Sequence, residues 1–225
     1  MKNLYIFGCS GIGKSIIDSI QSSNYQFNCI KFVDRNQSLV GTKYYSFPVV
    51  TSDEINIGLD NYAIFSFFKP SDIYDRAYII EGIIKKYNLK LATIVDKTAS
   101  ISPTARIGRG TYIAPNCVID SDSFIGENNI ILFNSIISRE VSLCENCFIS
   151  ASCTLKGSIQ ISESCFIGAN SSVLKDISSF CFVNSCTVLN QPIEKPCILT
   201  YSNPVIKDLP IDTRKATKLL QLLDK

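Results

Sequence analysis

One spacing constrains this chain more than any other feature. Between Val95 and Val173 an aliphatic side chain returns at every sixth position: Val95, Ile101, Ile107, Ile113, Ile119, Ile125, Ile131, Ile137, Leu143, Ile149, Leu155, Ile161, Ile167 and Val173. An α-helix repeats its buried face about every 3.6 residues and a half-buried strand about every 2. An unbroken period of six suits neither, but it suits hexapeptide repeats stacked as a parallel β-helix. Four residues beyond each aliphatic the side chain is mostly small: Ala99, Ala105, Thr111, Cys117, Ser123, Asn129, Ser135, Cys147, Cys153, Cys165 and Ser171. A narrow triangular prism fills without clashes when each face contributes one large and one small inward residue. Three faces of six residues predict about eighteen residues per coil and between four and five coils. After Val173 the spacing slips before resuming at Ile177, Val183 and Leu189, and Pro192, Pro196 and Pro204 end the pattern. Residues 212–225, with Ala216, Leu219, Leu220 and Leu223 on one face, predict a short terminal helix that covers the open end of the stack.

The first 92 residues read differently, as alternating strands and helices. Residues 4–7 form an apolar strand that runs into Gly8-Cys9-Ser10-Gly11-Ile12-Gly13-Lys14, and a helix follows with Ile12, Ile16, Ile17 and Ile20 on one face. Residues 29–33 predict a second strand ending in Asp34. Residues 47–50 predict a short edge strand, because Pro48 cannot donate to a ladder. Residues 62–68 predict a third strand, and Ser71 N-caps a helix carrying Ile73, Ala77, Ile80, Ile84 and Tyr87. Strand–helix alternation implies a parallel sheet with helices on its faces. The expected fold is thus a small Rossmann-like α/β domain over 1–92, a β-helix domain over 93–204, and a tail with a helix over 205–225.

Composition removes several functions. At 225 residues, 46% apolar and 19% charged, the chain can bury a core. A net charge of +2 argues against a dedicated nucleic-acid or acidic-membrane surface. The apolar run before Gly8 is too short for a signal peptide, and no run approaches a membrane span, so the expected location is the cytoplasm. The chain has no histidine, which excludes an imidazole base, dyad or metal ligand. Cys117, Cys147, Cys153 and Cys165 fall on the small inward position and read as reduced apolar fillers. Cys144 and Cys147 form a CxxC pair, but a second pair at zinc spacing is missing, so no metal is expected.

The glycine loop admits four readings. It matches the P-loop pattern G-x-x-x-x-G-K-[ST], in which Lys14 would meet nucleotide phosphates and Ser15 magnesium. A dinucleotide site fits poorly, because the glycines are spaced G-x-x-G-x-G. A tight strand-to-helix turn without a ligand is the plainest reading. The remaining one places a nucleotide phosphate on amides at the helix N-terminus, with Asp34 accepting from base or sugar.

A glycine-loop domain followed by hexapeptide repeats resembles the bacterial nucleotide-sugar acyltransferases, of the sialic-acid O-acetyltransferase and amino-sugar N-acetyltransferase type. The loop is similar to that family's Gly-(Ala/Gly)-(Ser/Gly)-Gly-(His/Gln)-Gly-(Lys/Leu), which makes the P-loop match fortuitous. Phe32-Val33-Asp34-Arg35 resembles its strand-ending Asp-Asp, Ile101-Ser102-Pro103-Thr104-Ala105 the start of its β-helix, and Phe166-Ile167-Gly168-Ala169-Asn170 a coil lying against acyl-CoA. The resemblance implies a homotrimer that binds a nucleotide-linked amino sugar through Ser10, Gly11, Ile12, Gly13, Asp34 and Arg35. It also implies an acetyl-CoA or other acyl-CoA donor held near Phe148, Gly168, Ala169 and Asn184, with no metal, in surface-polysaccharide or glycan biosynthesis.

The chain departs from the family where the chemistry lies. The family's catalytic segment carries a histidine, and in register this sequence reads Ser138-Arg139-Glu140. Arginine stays protonated, so Arg139 cannot be a general base, although it can stabilise an oxyanion and Glu140 can accept a proton. Further departures are Ile12, Phe65, Phe148, Val183-Asn184-Ser185 and Ser202-Asn203-Pro204-Val205-Ile206. A positioned base is worth ~10²–10⁴ in rate, and an amine acceptor tolerates its loss better than a hydroxyl. Three functions follow: an acyl-CoA-dependent N-acyltransferase on a nucleotide-linked amino sugar; a catalytically silent trimeric relative binding nucleotide sugar or a partner enzyme; and a nucleotide-binding enzyme of another class that uses the β-helix for assembly.

Overall fold

The computed structural model describes residues 2–55, 60–68, 75–194, 197–200 and 203–208, with side chains described up to residue 194. Its N-terminal part contains β1 (Lys2–Phe7), α1 (Gly11–Ser22), β2 (Cys29–Val33), β3 (Lys43–Tyr44), β4 (Phe47–Val50), β5 (Asp60–Phe65), α2 (Arg76–Tyr87) and β6 (Lys90–Leu91). The strands form one sheet in the order β3-β4-β2-β1-β5-β6, parallel except for the β3–β4 hairpin. In the central strand β1, Leu4 and Ile6 pack with Ile16, Ile17 and Ile20 of α1, while Tyr5 and Phe7 pack with Ile79, Ile80 and Ile83 of α2. Both faces of β1 are therefore covered, which explains its nearly continuous apolar run.

Two expectations in this domain change. β4 is not the edge strand, because β3 pairs outside it with Lys43 opposite Pro48. β5 ends at Phe65, since Ser66 turns its hydroxyl back to the Gly8 carbonyl (2.7 Å) at the end of β1. The expected N-cap Ser71 and the helical Ile73 lie outside the described residues, and the described helix begins at Arg76.

From Ile94 the chain winds as a left-handed parallel β-helix of two-residue strands on three faces. The first face stacks Ile94–Val95, Tyr112–Ile113, Ile130–Ile131, Phe148–Ile149, Phe166–Ile167 and Phe182–Val183. The second stacks Ser100–Ile101, Val118–Ile119, Ile136–Ile137, Thr154–Leu155, Ser172–Val173 and Val188–Leu189, and the third runs from Arg106–Ile107 to Gln160–Ile161. Partners such as Tyr112 and Ile130 lie eighteen residues apart, as the hexads require. The aliphatic member of each hexad points inward: Ile113, Ile125, Ile131, Ile137, Leu143, Ile149, Leu155, Ile161, Ile167 and Val173 are all fully buried. Each such side chain contributes ~1.5–3 kcal/mol on removal from water.

The small inward residues also serve the backbone. Thr111, Asn129 and Cys147 form one column, in which Asn129 N–H donates to Thr111 Oγ1 (3.2 Å) and Cys147 N–H to Asn129 Oδ1 (2.6 Å). The corners turn through left-handed residues, including Asn116, Asp122, Asn128, Asn134, Asn146 and Asn170, each with φ between 56° and 61°. Asparagine and aspartate tolerate that conformation best among residues with a side chain. Cys117, Cys147, Cys153, Cys165 and Cys181 are buried and unbridged.

The slip after Val173 proves to be a shortened corner rather than a decaying repeat. Above that point the register step falls from eighteen to sixteen, with Phe166 opposite Phe182, Ser172 opposite Val188, Ile161 bridged to Ile177 and Ile177 to Ile193. Both two-residue deletions fall between the second and third faces, at 174–176 and 190–192. The repeat also does not stop at the prolines. The first face gains Cys197–Thr200 and then Asn203–Asp208, which runs antiparallel and reverses the chain. The expected boundary at 204/205 thus falls inside a strand. The expected terminal helix over 212–225 lies outside the described residues.

The two parts share one core. α1 packs on the first coil: Ser19 Oγ lies 3.1 Å from Tyr112 OH, and Val95 N–H donates to Tyr25 OH (2.8 Å). Higher up, Arg76 crosses from α2 to the coils. Its guanidinium donates to the carbonyls of Phe67 (3.0 Å) and Phe65 (3.4 Å) on one side, and to the Asn128 carbonyl (2.9 Å) and Asn146 Oδ1 (3.5 Å) on the other. It is 2% exposed and lies over the rings of Phe67 and Phe68. Burial pushes its pKa down to about 10, so it remains a cation at neutral pH. Among the described residues, no helix is long and apolar enough to cross a membrane.

Candidate active site

The glycine loop sits at the carboxyl edge of the parallel sheet, where ligands of such folds bind. Gly8 adopts φ +102°, and its N–H donates to the Val33 carbonyl (2.9 Å). A side chain there would be strained, so Gly8 makes the turn possible. Gly13 is needed for space, because a Cβ would stand 2.8 Å from the Phe32 ring. Gly11 differs: a Cβ there would meet nothing within 4 Å. Ser10 caps α1, accepting from Gly13 N–H (3.1 Å) and donating to the Ser66 carbonyl (2.9 Å). Among the described residues, the N–H groups of Gly11 and Ile12 have no hydrogen-bond partner at the open helix N-terminus, where an anion is favoured.

Asp34 faces this loop. One carboxylate oxygen accepts from Cys9 N–H (2.7 Å) and the other from Asn36 N–H (2.9 Å). It therefore fixes the loop while leaving lone pairs for a further donor. Burial, together with the Asp34 charge, pushes the Cys9 thiol up to about 12, so Cys9 is no nucleophile near neutral pH. Arg35 is exposed beside it.

The P-loop reading loses its geometry. α1 starts at Gly11, immediately after the cap, so the chain does not wrap a phosphate before the helix. Lys14 lies on the helix with its Nζ 5.1 Å from the Tyr44 ring centre and 5.9 Å from that of Tyr45.

The corner holding Ser138, Arg139 and Glu140 lies between the second and third faces. Glu140 takes the left-handed position (φ 58°), and its carboxylate accepts from Ser158 Oγ (2.5 Å) one coil above. Arg139 is exposed and makes no ion pair with Glu140. A Cβ on Gly157, directly above Arg139, would stand 3.5 Å from Arg139 Cγ and 3.1 Å from its carbonyl oxygen. A cavity of about 810 Å³ opens at this corner, with Lys156 and Lys175 beside Arg139. Sequence reasoning missed Lys156, Gly157 and Lys175. The eighteen-residue step could have found them, since it puts Lys156 above Ser138 and Gly157 above Arg139.

Gly168, Ala169 and Asn184 come together at a different corner, between the first and second faces. A Cβ on Gly168 would stand 2.3 Å from Ser185 N and 2.6 Å from the Asn184 carbonyl carbon, so only glycine fits. The Ala169 carbonyl accepts from Cys186 N–H (2.7 Å). Phe148 does not join them. It stacks on the first face with Phe68 (4.8 Å between centroids) and Phe166 (5.1 Å), and only 7% of it is exposed. In the single chain its ring is largely covered, because Phe68 of the sheet domain packs over that face.

The second face thus lies between the Arg139 corner and the Gly168 corner. It also carries exposed aliphatics in its outward positions, Val118 and Ile136, with Val188 above them.

Residues 3–66 match the family model of the PglD N-terminal domain, and residues 89–199 that of the GMPPB C-terminal domain. No curated protein sequence matches the chain. Among solved structures, the acetyltransferase domain of PglB from Neisseria gonorrhoeae FA1090, in complex with acetyl coenzyme A, is similar with a TM-score of 0.79 at 21% identity, over 92% of this chain and 98% of that one. A point mutant of perosamine N-acetyltransferase from Caulobacter crescentus, in complex with CoA and GDP-perosamine, gives 0.75 at 21% identity, over 92% and 97%. WeeI from Acinetobacter baumannii AYE gives 0.79 at 16% identity, over 92% and 100%. With a PglD-type domain over residues 3–66 and hexapeptide coils above it, the chain has the fold of the bacterial nucleotide-sugar acyltransferases.

Proposed function

We propose that the protein is an acyl-CoA-dependent N-acyltransferase, acting on a nucleotide-linked amino sugar in the making of a surface polysaccharide or other glycan. The observation that carries this reading is the open N-terminus of α1. Unpartnered Gly11 and Ile12 amides, with nothing within 4 Å of a Cβ on Gly11, leave room for a nucleotide phosphate beside Asp34. The same chain has the β-helix fold of proteins solved with acetyl-CoA or with CoA and GDP-perosamine.

A homotrimer completes the reading. Packing the second face around a threefold axis would cover Val118 and Ile136 and bring one subunit's Arg139 corner beside the next subunit's Gly168 and Asn184. The acceptor nitrogen then attacks the thioester carbonyl, the C–S bond breaks, and the proton lost by nitrogen passes to the departing thiolate. Arg139 stabilises the oxyanion formed on the way, and Glu140, held by Ser158, relays that one proton from nitrogen to sulfur. The absence of a base favours a second reading, a silent relative that binds the nucleotide sugar without transfer.

Thiol release from acetyl-CoA in the presence of UDP-, GDP- and dTDP-linked amino sugars separates the two. Release above background with one acceptor supports transfer. Binding without release, and no gain of activity in Arg139→His, supports the silent relative.

A further inference from the structure

The corner that carries Arg139 concentrates more positive charge than acyl transfer uses. Its cavity is lined by three cations, Arg139, Lys156 and Lys175, and by the carboxylates Asp120 and Asp176. The carboxylates keep their charge but are oriented by backbone amides, Asp176 Oδ1 accepting from Gln160 N–H (2.9 Å) and Asp120 Oδ1 from Ser121 N–H (2.7 Å), so cations outnumber carboxylates in the lining. Glu140, next to Arg139, is bonded by Ser158. Among the described residues the ion pairs are Lys85–Glu81, Lys90–Asp60 and Arg109–Glu127, so none of the three cations is neutralised.

The recess has a cause in the register. The two-residue deletions between Val173 and Ile177, and between Leu189 and Ile193, shorten the same corner in two successive coils. Gly157 leaves the space above Arg139 without a side chain. Three cations against two carboxylates leave this concavity with an excess of positive charge, and a bound oxyanion balances it. A guanidinium fork flanked by two ammonium groups suits phosphate or carboxylate oxygens.

We propose that this shortened corner is an oxyanion-binding site, in which Arg139, Lys156 and Lys175 together hold a phosphate or carboxylate of the ligand that enters the cavity. This goes beyond the transfer reading and stands whether or not a group is transferred. Calorimetry on the full chain at low salt, with inorganic pyrophosphate as probe, tests it directly. Binding should weaken as salt is raised, fall at least tenfold in the Lys156→Gln/Lys175→Gln double variant, and return in the Lys156→Arg/Lys175→Arg variant.

Two ligand pairs then identify the source of the charge. A larger loss in the glutamine variant for CoA than for 3′-dephospho-CoA assigns the 3′-phosphate. A larger loss for succinyl-CoA than for acetyl-CoA assigns an acyl carboxylate, and an equal loss for all four assigns the diphosphate that they share. Affinities unchanged by the double substitution for pyrophosphate and all four ligands would overturn the proposal.

Discussion

Replacing Arg76 by methionine is expected to destabilise the protein by about 3 kcal/mol, the size set by what the guanidinium does between the two domains. Its two short bonds, to the Phe67 carbonyl (3.0 Å) and the Asn128 carbonyl (2.9 Å), join the segment after β5 to the corner that ends the second coil. Hydrogen bonds to a charged group contribute ~1.5–3 kcal/mol each, so this pair is worth ~3–6 kcal/mol. The bonds to Phe65 O (3.4 Å) and Asn146 Oδ1 (3.5 Å) are long and add little.

Against this stands the cost of burying a cation without a carboxylate. The lowering to about 10 reflects that burial and corresponds to roughly 3 kcal/mol. Methionine removes the charge and the bonds together, and it leaves two buried carbonyls without a donor at ~1–3 kcal/mol each. These terms sum to ~2–9 kcal/mol in favour of arginine, and because the bond and carbonyl terms count the same contacts in part, the expected loss lies near the lower end, at about 3. For a chain of this length that is a fall of roughly 6–12 °C in melting temperature. Urea unfolding at pH 7 measures it, and Arg76→Lys should recover only part, because an ammonium lacks the planar fork. The pH sign follows from the lowered pKa of a cation. The unfolded state holds this proton more tightly, so the Arg76 term stabilises folding as pH rises past about 10. A variant as stable as the parent at pH 7 would refute the reasoning, since burial cost and bonding would then cancel.

Two further outcomes follow from the site geometry. Gly168→Ala forces a Cβ to 2.3 Å from Ser185 N and should cost ~1–3 kcal/mol, whereas Gly11→Ala, at an open helical position, should gain ~0.5–1 kcal/mol; chemical denaturation of both reads the opposite signs. Alkylation at pH 8 followed by peptide mass spectrometry should modify the exposed Cys186 first. Cys9 should resist it until the pH approaches its raised value of about 12, and rapid labelling of Cys9 at pH 8 would contradict the environment described for it.

Much of this protein follows from local pattern. The hexads identify the β-helix because an inward side chain must recur wherever a coil crosses a face, and that demand is written in every sixth residue. The same logic places cysteines at the small inward positions, where Cys117, Cys147, Cys153 and Cys165 are indeed buried. The glycine loop is legible for the same reason: Gly8 needs a positive φ and Gly13 needs space beside Phe32, both local demands. The eighteen-residue step even names Arg139 as the residue at the corner where the resemblance expects a histidine.

What sequence alone could not decide depends on contacts between segments far apart in the chain. Nothing local to Phe148 says that the sheet domain will cover its face and seal its ring against Phe68 and Phe166. Nothing local to Arg76 says that carbonyls from β5 and from a coil fifty residues later will converge on its guanidinium. An ion pair between the neighbours Arg139 and Glu140 is the simplest expectation, yet Glu140 bonds Ser158 in the next coil and leaves Arg139 facing the recess with two lysines. Periodicity reports which way a side chain points; only the packed structure determines what stands in front of it.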